Sequence, residues 1–213
     1  MLKANKKTLI ITSIVTVLPI FAGLFLWDRL PDTMAIHFGI NSGADGFSSK
    51  AFAVIGLPLI MLALEWIAAF VTAHDPKKQN ISPKIFAVTL WLFPLISLAV
   101  AAAIYAYNLG SGMNAALIGG LILGVLLIVA GNYLPKARQN YTFGYKIPWT
   151  LADEDNWNRT HRLAGFLWMA GGILIVVGTL TGSSGIYAAI AVLAAAALIP
   201  IIYSYILHIK KEK

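Results

Sequence analysis

One of the nine acidic side chains in this 213-residue sequence lies where water does not reach. Glu65 interrupts the apolar run LALEWIAAF. An ionised carboxylate inside a membrane span costs several kcal/mol unless it meets a partner or water, so its default reading is functional. It has three ways to act: binding a cationic peptide, carrying a proton, or joining another helix through hydrogen bonds. Asn132 is one candidate partner. Two histidines come next. His37 has Asp32 and Asp45 nearby in the chain, the residue types of a metal site or of an ordinary polar strand. Asn41, Gly43, Asp45 and Gly46 resemble the opening of a calcium loop, but the third-position oxygen and the closing glutamate are missing, so no metal is expected. His161 follows Asp153 and Asp155, the types of a general-base cluster, yet no nucleophile or metal set accompanies them.

The elements that carry these residues are written in hydrocarbon. Hydrophobic residues make up 59% of the chain and charged residues 12%, with mean hydropathy +0.77. That charge is about half the share of a soluble domain. Six apolar spans can be drawn, near 8–27, 51–73, 84–107, 115–134, 163–181 and 186–207, each long enough to cross a core of about 30 Å. The first follows Lys3, Lys6 and Lys7 but ends in Leu-Trp-Asp, without a small-residue cleavage site, and reads as an uncleaved helix. The expected fold is an all-α integral membrane protein with six transmembrane helices in a bacterial cell membrane. Six crossings put both termini on one side. Fourteen of the sixteen Lys and Arg residues fall on that side, leaving Arg29 and Lys50 opposite. The positive-inside rule therefore predicts cytoplasmic termini, a cytoplasmic 135–162 loop and an extracellular 28–50 loop. The net charge of +7 is explained by topology, and direct nucleic-acid binding is not expected.

Cysteine is absent, which excludes disulfides and thiolate metal sites. Zinc-protease, nucleophile-elbow, Walker and dinucleotide motifs are missing too, so neither enzymatic activity nor a cofactor is expected. Small residues recur at Ala116, Gly120, Gly124 and Gly131 in the fourth span and at Gly165, Gly172 and Gly178 in the fifth, faces that allow close helix approach. Pro19, Pro58, Pro94 and Pro200 interrupt other spans. In the outer loop, Met34, Ile36 and Phe38 alternate with Ala35 and His37, predicting a short strand before turn residues, and hence a small folded loop. In the inner loop, Thr150 and Asp153 suggest a capping box opening a helix, with Asp155 and Arg159 as an i,i+4 pair.

Two segments resemble a known family. LPDTMAIHFGINSGADGFSSK is similar to a small bacterial domain of unknown function, matched at Pro31, His37, Asn41 and Asp45. GNYLPKARQNYTFGYKIPWTLADEDNWNRTH resembles the core of the SdpI family, with Gly131, Asn132, Pro135, Lys136, Arg138, Asn140, Gly144, Lys146, Pro148, Trp149, Thr150, Leu151, Trp157, Thr160 and His161 in place. Tyr145 stands where a smaller aliphatic residue is usual. The resemblance implies a two-helix N-terminal unit over 1–73 and a four-helix SdpI-like region over 74–213. It also implies immunity to a secreted toxin peptide, and signalling that holds a small helix-turn-helix repressor at the membrane. On that view His37, Asn41, Asp45 and Glu65 meet the peptide, while the motif from Asn132 to His161 serves signalling. The competing expectation is a small proton-coupled transporter that uses Glu65.

Overall fold

The computed structural model describes residues 1–2, 5–39, 43–112, 114–181 and 185–211, without the side chains of 115–116 and 185–188. Helix α1 spans Lys6–Phe25, β1 Thr33–Phe38, β2 Ala44–Ser49, α2 Leu57–Ala73, α3 Pro83–Asn108 and α4 Ala115–Tyr133. The one-turn α5 spans Pro148–Ala152 and is followed by α6, Glu154–Leu180, and α7, Gly185–Lys211. Six of these helices are long and apolar enough to cross a membrane. Their bounds agree with the hydropathy spans to within four residues except in α2, whose first residues form a separate turn before Leu57, and in α6, which begins nine residues earlier. The polar turn that precedes the fifth apolar run feeds directly into it.

Contacts divide the chain into two compact units, Met1–Phe70 with Ala87–Ile122, and Val71–Phe86 with Leu123–Lys213. The first unit is built around the hairpin. β1 and β2 pair antiparallel, with Met34 opposite Ser48 and Ala35 opposite Phe47. Met34, fully buried, drops into a core with Leu30, Val54, Ala101, Ile104 and Tyr105. Gly23 of α1 allows this closeness, because a Cβ there would lie 2.5 Å from Val54 and 2.6 Å from Tyr105. Between the hairpin and α2, Phe52–Gly56 forms a π-helical turn. Pro58 accounts for it: its ring lacks an N–H and crowds the carbonyl four residues back, so the ladder widens locally.

The second unit is held by a glycine crossing. A Cβ at Gly124 would lie 2.8 Å from the carbonyl of Gly172, and one at Gly131 would lie 2.9 Å from the carbonyl of Gly165. The small-residue faces expected of the fourth and fifth spans thus meet each other, backbone against backbone. Helix α7 packs on α6 through Gly171 and Val192 and through polar bonds described below.

Candidate functional site

In the first unit, Thr12 and Thr16 are four residues apart on α1 and so share one face. Both point at Glu65 of α2, which is 0% exposed. Thr12 Oγ1 lies 2.5 Å from Glu65 Oε1, and Thr16 Oγ1 2.7 Å from Oε2. Each carboxyl oxygen therefore has its own hydroxyl. Thr12 Oγ1 also lies 3.0 Å from the Thr8 carbonyl, so its single proton has a second acceptor in reach. Around this clamp, Ser97 donates to the Thr16 carbonyl at 2.8 Å, and the Trp66 indole donates to Ser13 Oγ at 3.1 Å. Among the described residues no cation pairs with Glu65. Asn132, the partner suggested from sequence, instead accepts from Lys136 Nζ at 2.9 Å.

The hairpin of the same unit carries the remaining predicted ligand residues. His37 Nδ1 lies 2.6 Å from Asp45 Oδ1, an exposed pair that joins the two strands. Lys50 ties the hairpin base to its neighbours, 3.0 Å from Asp32 and 3.1 Å from the Trp27 carbonyl, with its ammonium over the Trp27 ring. Asn41 lies outside the described residues. Among those described, no three His, Asp or Glu side chains converge as a metal site would require.

The second unit folds the 136–162 segment around a buried polar interior. Asn140 closes an Asx turn, accepting from Thr142 N at 2.8 Å and Phe143 N at 2.6 Å while donating to the Arg138 carbonyl. Gln139 donates to the carbonyls of Thr150 and Leu151, and its own side-chain oxygen accepts from Lys77. Asp75, just past α2, receives Lys77 N, Tyr141 N and the Thr142 hydroxyl. Trp157, fully buried, donates to the Ala137 carbonyl at 2.7 Å. Asn156 and Thr160 of α6 bond to each other, and Asn156 also joins Ser204 of α7.

His161 sits at the centre, stacked on Trp157 with ring centroids 3.9 Å apart. Its Nε2 accepts from Tyr145 N at 2.9 Å, which leaves Nδ1 as the donor to the Trp157 carbonyl at 2.8 Å. Both ring nitrogens are consumed by backbone. The general-base cluster with Asp153 and Asp155 does not form: Asp153 accepts from Lys211 at 2.8 Å, and Asp155 pairs with Arg159 at 3.6 Å. The Lys211 hydrogen bond holds the Asp153 carboxyl below its usual range. Gly144 makes the histidine contact possible. It has φ +111°, and any Cβ there would lie 2.1 Å from His161 Nε2.

The expected capping box is also corrected. Thr150 belongs to α5, where Pro148 sets the first turn, and its hydroxyl bonds to Ile147 N and the Tyr145 carbonyl. The cap of α6 is Asp153, which accepts from Asp155 N. The motif side chains left at the surface are Asn132, Lys136, Arg138 and Lys146, together with Pro135 and Pro148. Trp149 lies between His208 and Tyr205, and its buried indole nitrogen is without a partner. Sequence reasoning missed Thr12, Thr16, Gln139, Asp75 and Tyr145. Tyr145 donates to the Ala196 carbonyl and accepts from Trp168, and burial raises its hydroxyl's pKa despite that bond. For the threonines, the available signal was their four-residue spacing in an apolar span.

Six apolar helices around two polar interiors define a multi-pass membrane protein, here of the bacterial cell membrane. Residues 136–204 match the SdpI/YfhL protein family, and residues 14–62 match a domain of unknown function, DUF1648. The chain is similar to the "Immunity protein SdpI" of Bacillus subtilis (strain 168), 28% identical over 204 residues that cover 93% of this chain and 95% of that protein. This similarity supports a membrane immunity protein. No solved structure matches the chain.

Proposed function

We propose that this protein protects the cell that carries it against a secreted antimicrobial peptide, acting in the membrane without catalysis. The observation that carries this reading is similarity to an immunity protein along nearly the whole length of both chains. The clustering of Lys and Arg supports an outward hairpin and an inward 135–162 loop. The hairpin and Glu65 then face the peptide. Lys136, Arg138 and Lys146, exposed on a segment whose Gln139, Asn140 and His161 side chains are already bonded, present charge to a cytosolic partner such as a small helix-turn-helix repressor. Expression in a peptide-sensitive bacterium, challenged with a panel of secreted antimicrobial peptides, should raise survival against at least one. Unchanged killing across the panel overturns the proposal. Orientation is tested with an impermeant thiol reagent on intact cells, since the chain has no cysteine of its own. Label should enter at Phe47→Cys and not at Arg138→Cys.

A second reading, proton-coupled transport, draws on the burial of Glu65 against two hydroxyls. It requires flux in proteoliposomes that Glu65→Gln abolishes. Protection without flux decides for immunity.

A further inference from the structure

The hairpin has two edges, and among the described residues only one of them is closed. The Lys50 N–H donates to the Asp32 carbonyl at 2.9 Å, which marks that pair as hydrogen-bonded. Bonded and non-bonded pairs alternate along an antiparallel ladder. Thr33/Ser49 is thus non-bonded, Met34/Ser48 bonded and Ala35/Phe47 non-bonded, in the observed register. The backbone groups of Ala35 and Phe47 consequently point away from each other, toward the two outer edges. On the β1 edge, the Asn108 carboxamide takes both groups of Ala35, accepting from its N–H and donating to its carbonyl, each at 2.9 Å. Asn108 stands in for a third strand. On the β2 edge, the Phe47 backbone meets no partner among the described residues. Its ring is 60% exposed beside that edge.

We propose that the β2 edge, centred on Phe47, is a docking edge for an extended segment of a secreted peptide, which adds there as a third strand. This deepens the immunity reading and rests on it. Main-chain hydrogen bonds to the Phe47 N–H and carbonyl supply the binding, and an apolar or β-branched peptide side chain packs beside the Phe47 ring. The edge suits a short flexible peptide better than a second copy of the hairpin. Register shifts at Ile36 and Asp45 bulge the distal half of the ladder, so the regular edge is only a few residues long. Bulges twist an edge away from flat, edge-to-edge pairing, the usual protection against self-association. A flexible segment can follow that twist.

The test uses the full chain in lipid nanodiscs and a panel of linear secreted antimicrobial peptides. Phe47→Pro removes the outward N–H and no ladder bond, so the hairpin tolerates it. A Thr33→Cys/Ser49→Cys disulfide across a non-bonded pair locks the hairpin in both backgrounds, so that a loss is not misread as unfolding. A bound peptide is expected to slow amide exchange at Phe47 at least about tenfold. Phe47→Pro should weaken binding at least about tenfold, whereas Phe47→Ala, which keeps the backbone donor, should weaken it by less than about fivefold. Binding with unchanged exchange at Phe47, binding that survives Phe47→Pro, or no peptide bound at all overturns the proposal. Slowed exchange that depends on protein concentration alone identifies a second copy and also overturns it. Protection of cells that survives Phe47→Pro sinks the docking edge and leaves the immunity reading intact. A peptide held at the edge by a chain that protects against none of the panel does the reverse.

Discussion

The two polar interiors of this membrane protein are finished to different degrees. Around His161 each ring nitrogen is bonded to backbone, and Asn140, Gln139, Asn156 and Thr160 are cross-linked to carbonyls or to one another. Around Glu65 a carboxyl group is held only by hydroxyls, each with one proton to give, and the adjoining hairpin leaves an edge open. The motif-dense region is the closed one. A run of special residues marks a demanding loop conformation at least as readily as it marks a reactive site, and exposure separates the two. Lys136, Arg138 and Lys146 lie at the surface, while His161 and Trp157 are buried and build the platform.

Substitutions that strike the closed interior should therefore destabilise most. Gly144→Ala puts a Cβ onto His161 at positive φ, and a loss of roughly 3 kcal/mol or more is expected. It should be read as a large fall in detergent thermal stability; an unchanged melting point means the loop does not need this turn. His161→Ala strands the Tyr145 N–H and the Trp157 carbonyl, each worth about 1–3 kcal/mol when buried and unpaired. Stability and protection should fall together, and protection lost at full stability would make His161 a recognition residue after all.

Glu65→Gln sharpens the contrast from the other side. The amide keeps an oxygen for one threonine, and the other hydroxyl can turn to its own helix, so stability should move by no more than about 1 kcal/mol. Protection should nonetheless drop in survival assays. A stability loss as large as that of His161→Ala would reduce the clamp to glue. The smallest effect concerns the surface pair Asp153–Lys211. A carboxyl with a lowered folded-state pKa contributes stability that is complete above the unfolded value and lost as pH falls through the folded one. Asp153→Asn should therefore lower the melting point slightly at neutral pH and make no difference in strong acid. An effect that grows on acidification reverses the assignment.

Some of this was legible in the residues and some was not, for reasons tied to sequence distance. Apolar length announces the spans, and the alternation of Met34, Ile36 and Phe38 announces β1. Both signals are local. Glu65 is conspicuous, but its partners lie 49 and 53 residues earlier, and no periodicity links them. His161 reads as a surface polar group because nothing local says that Gly144, seventeen residues earlier, brings the Tyr145 backbone onto the ring. The cap was placed at Thr150 because two competing signals overlap: Pro148 starts a separate turn and captures the threonine, leaving Asp153 to open α6.

The glycine crossing of α4 and α6 carries a mechanical consequence. With main chain close to main chain at Gly124/Gly172 and Gly131/Gly165, and Val176, Ile128, Met169 and Pro135 wedged beside the glycines, the crossing has little room to slip. A slide of a fraction of a turn would drive carbonyl oxygens into Val176 or Ile128. The two rods are in effect riveted, so a displacement of one should carry the other with it as a single lever.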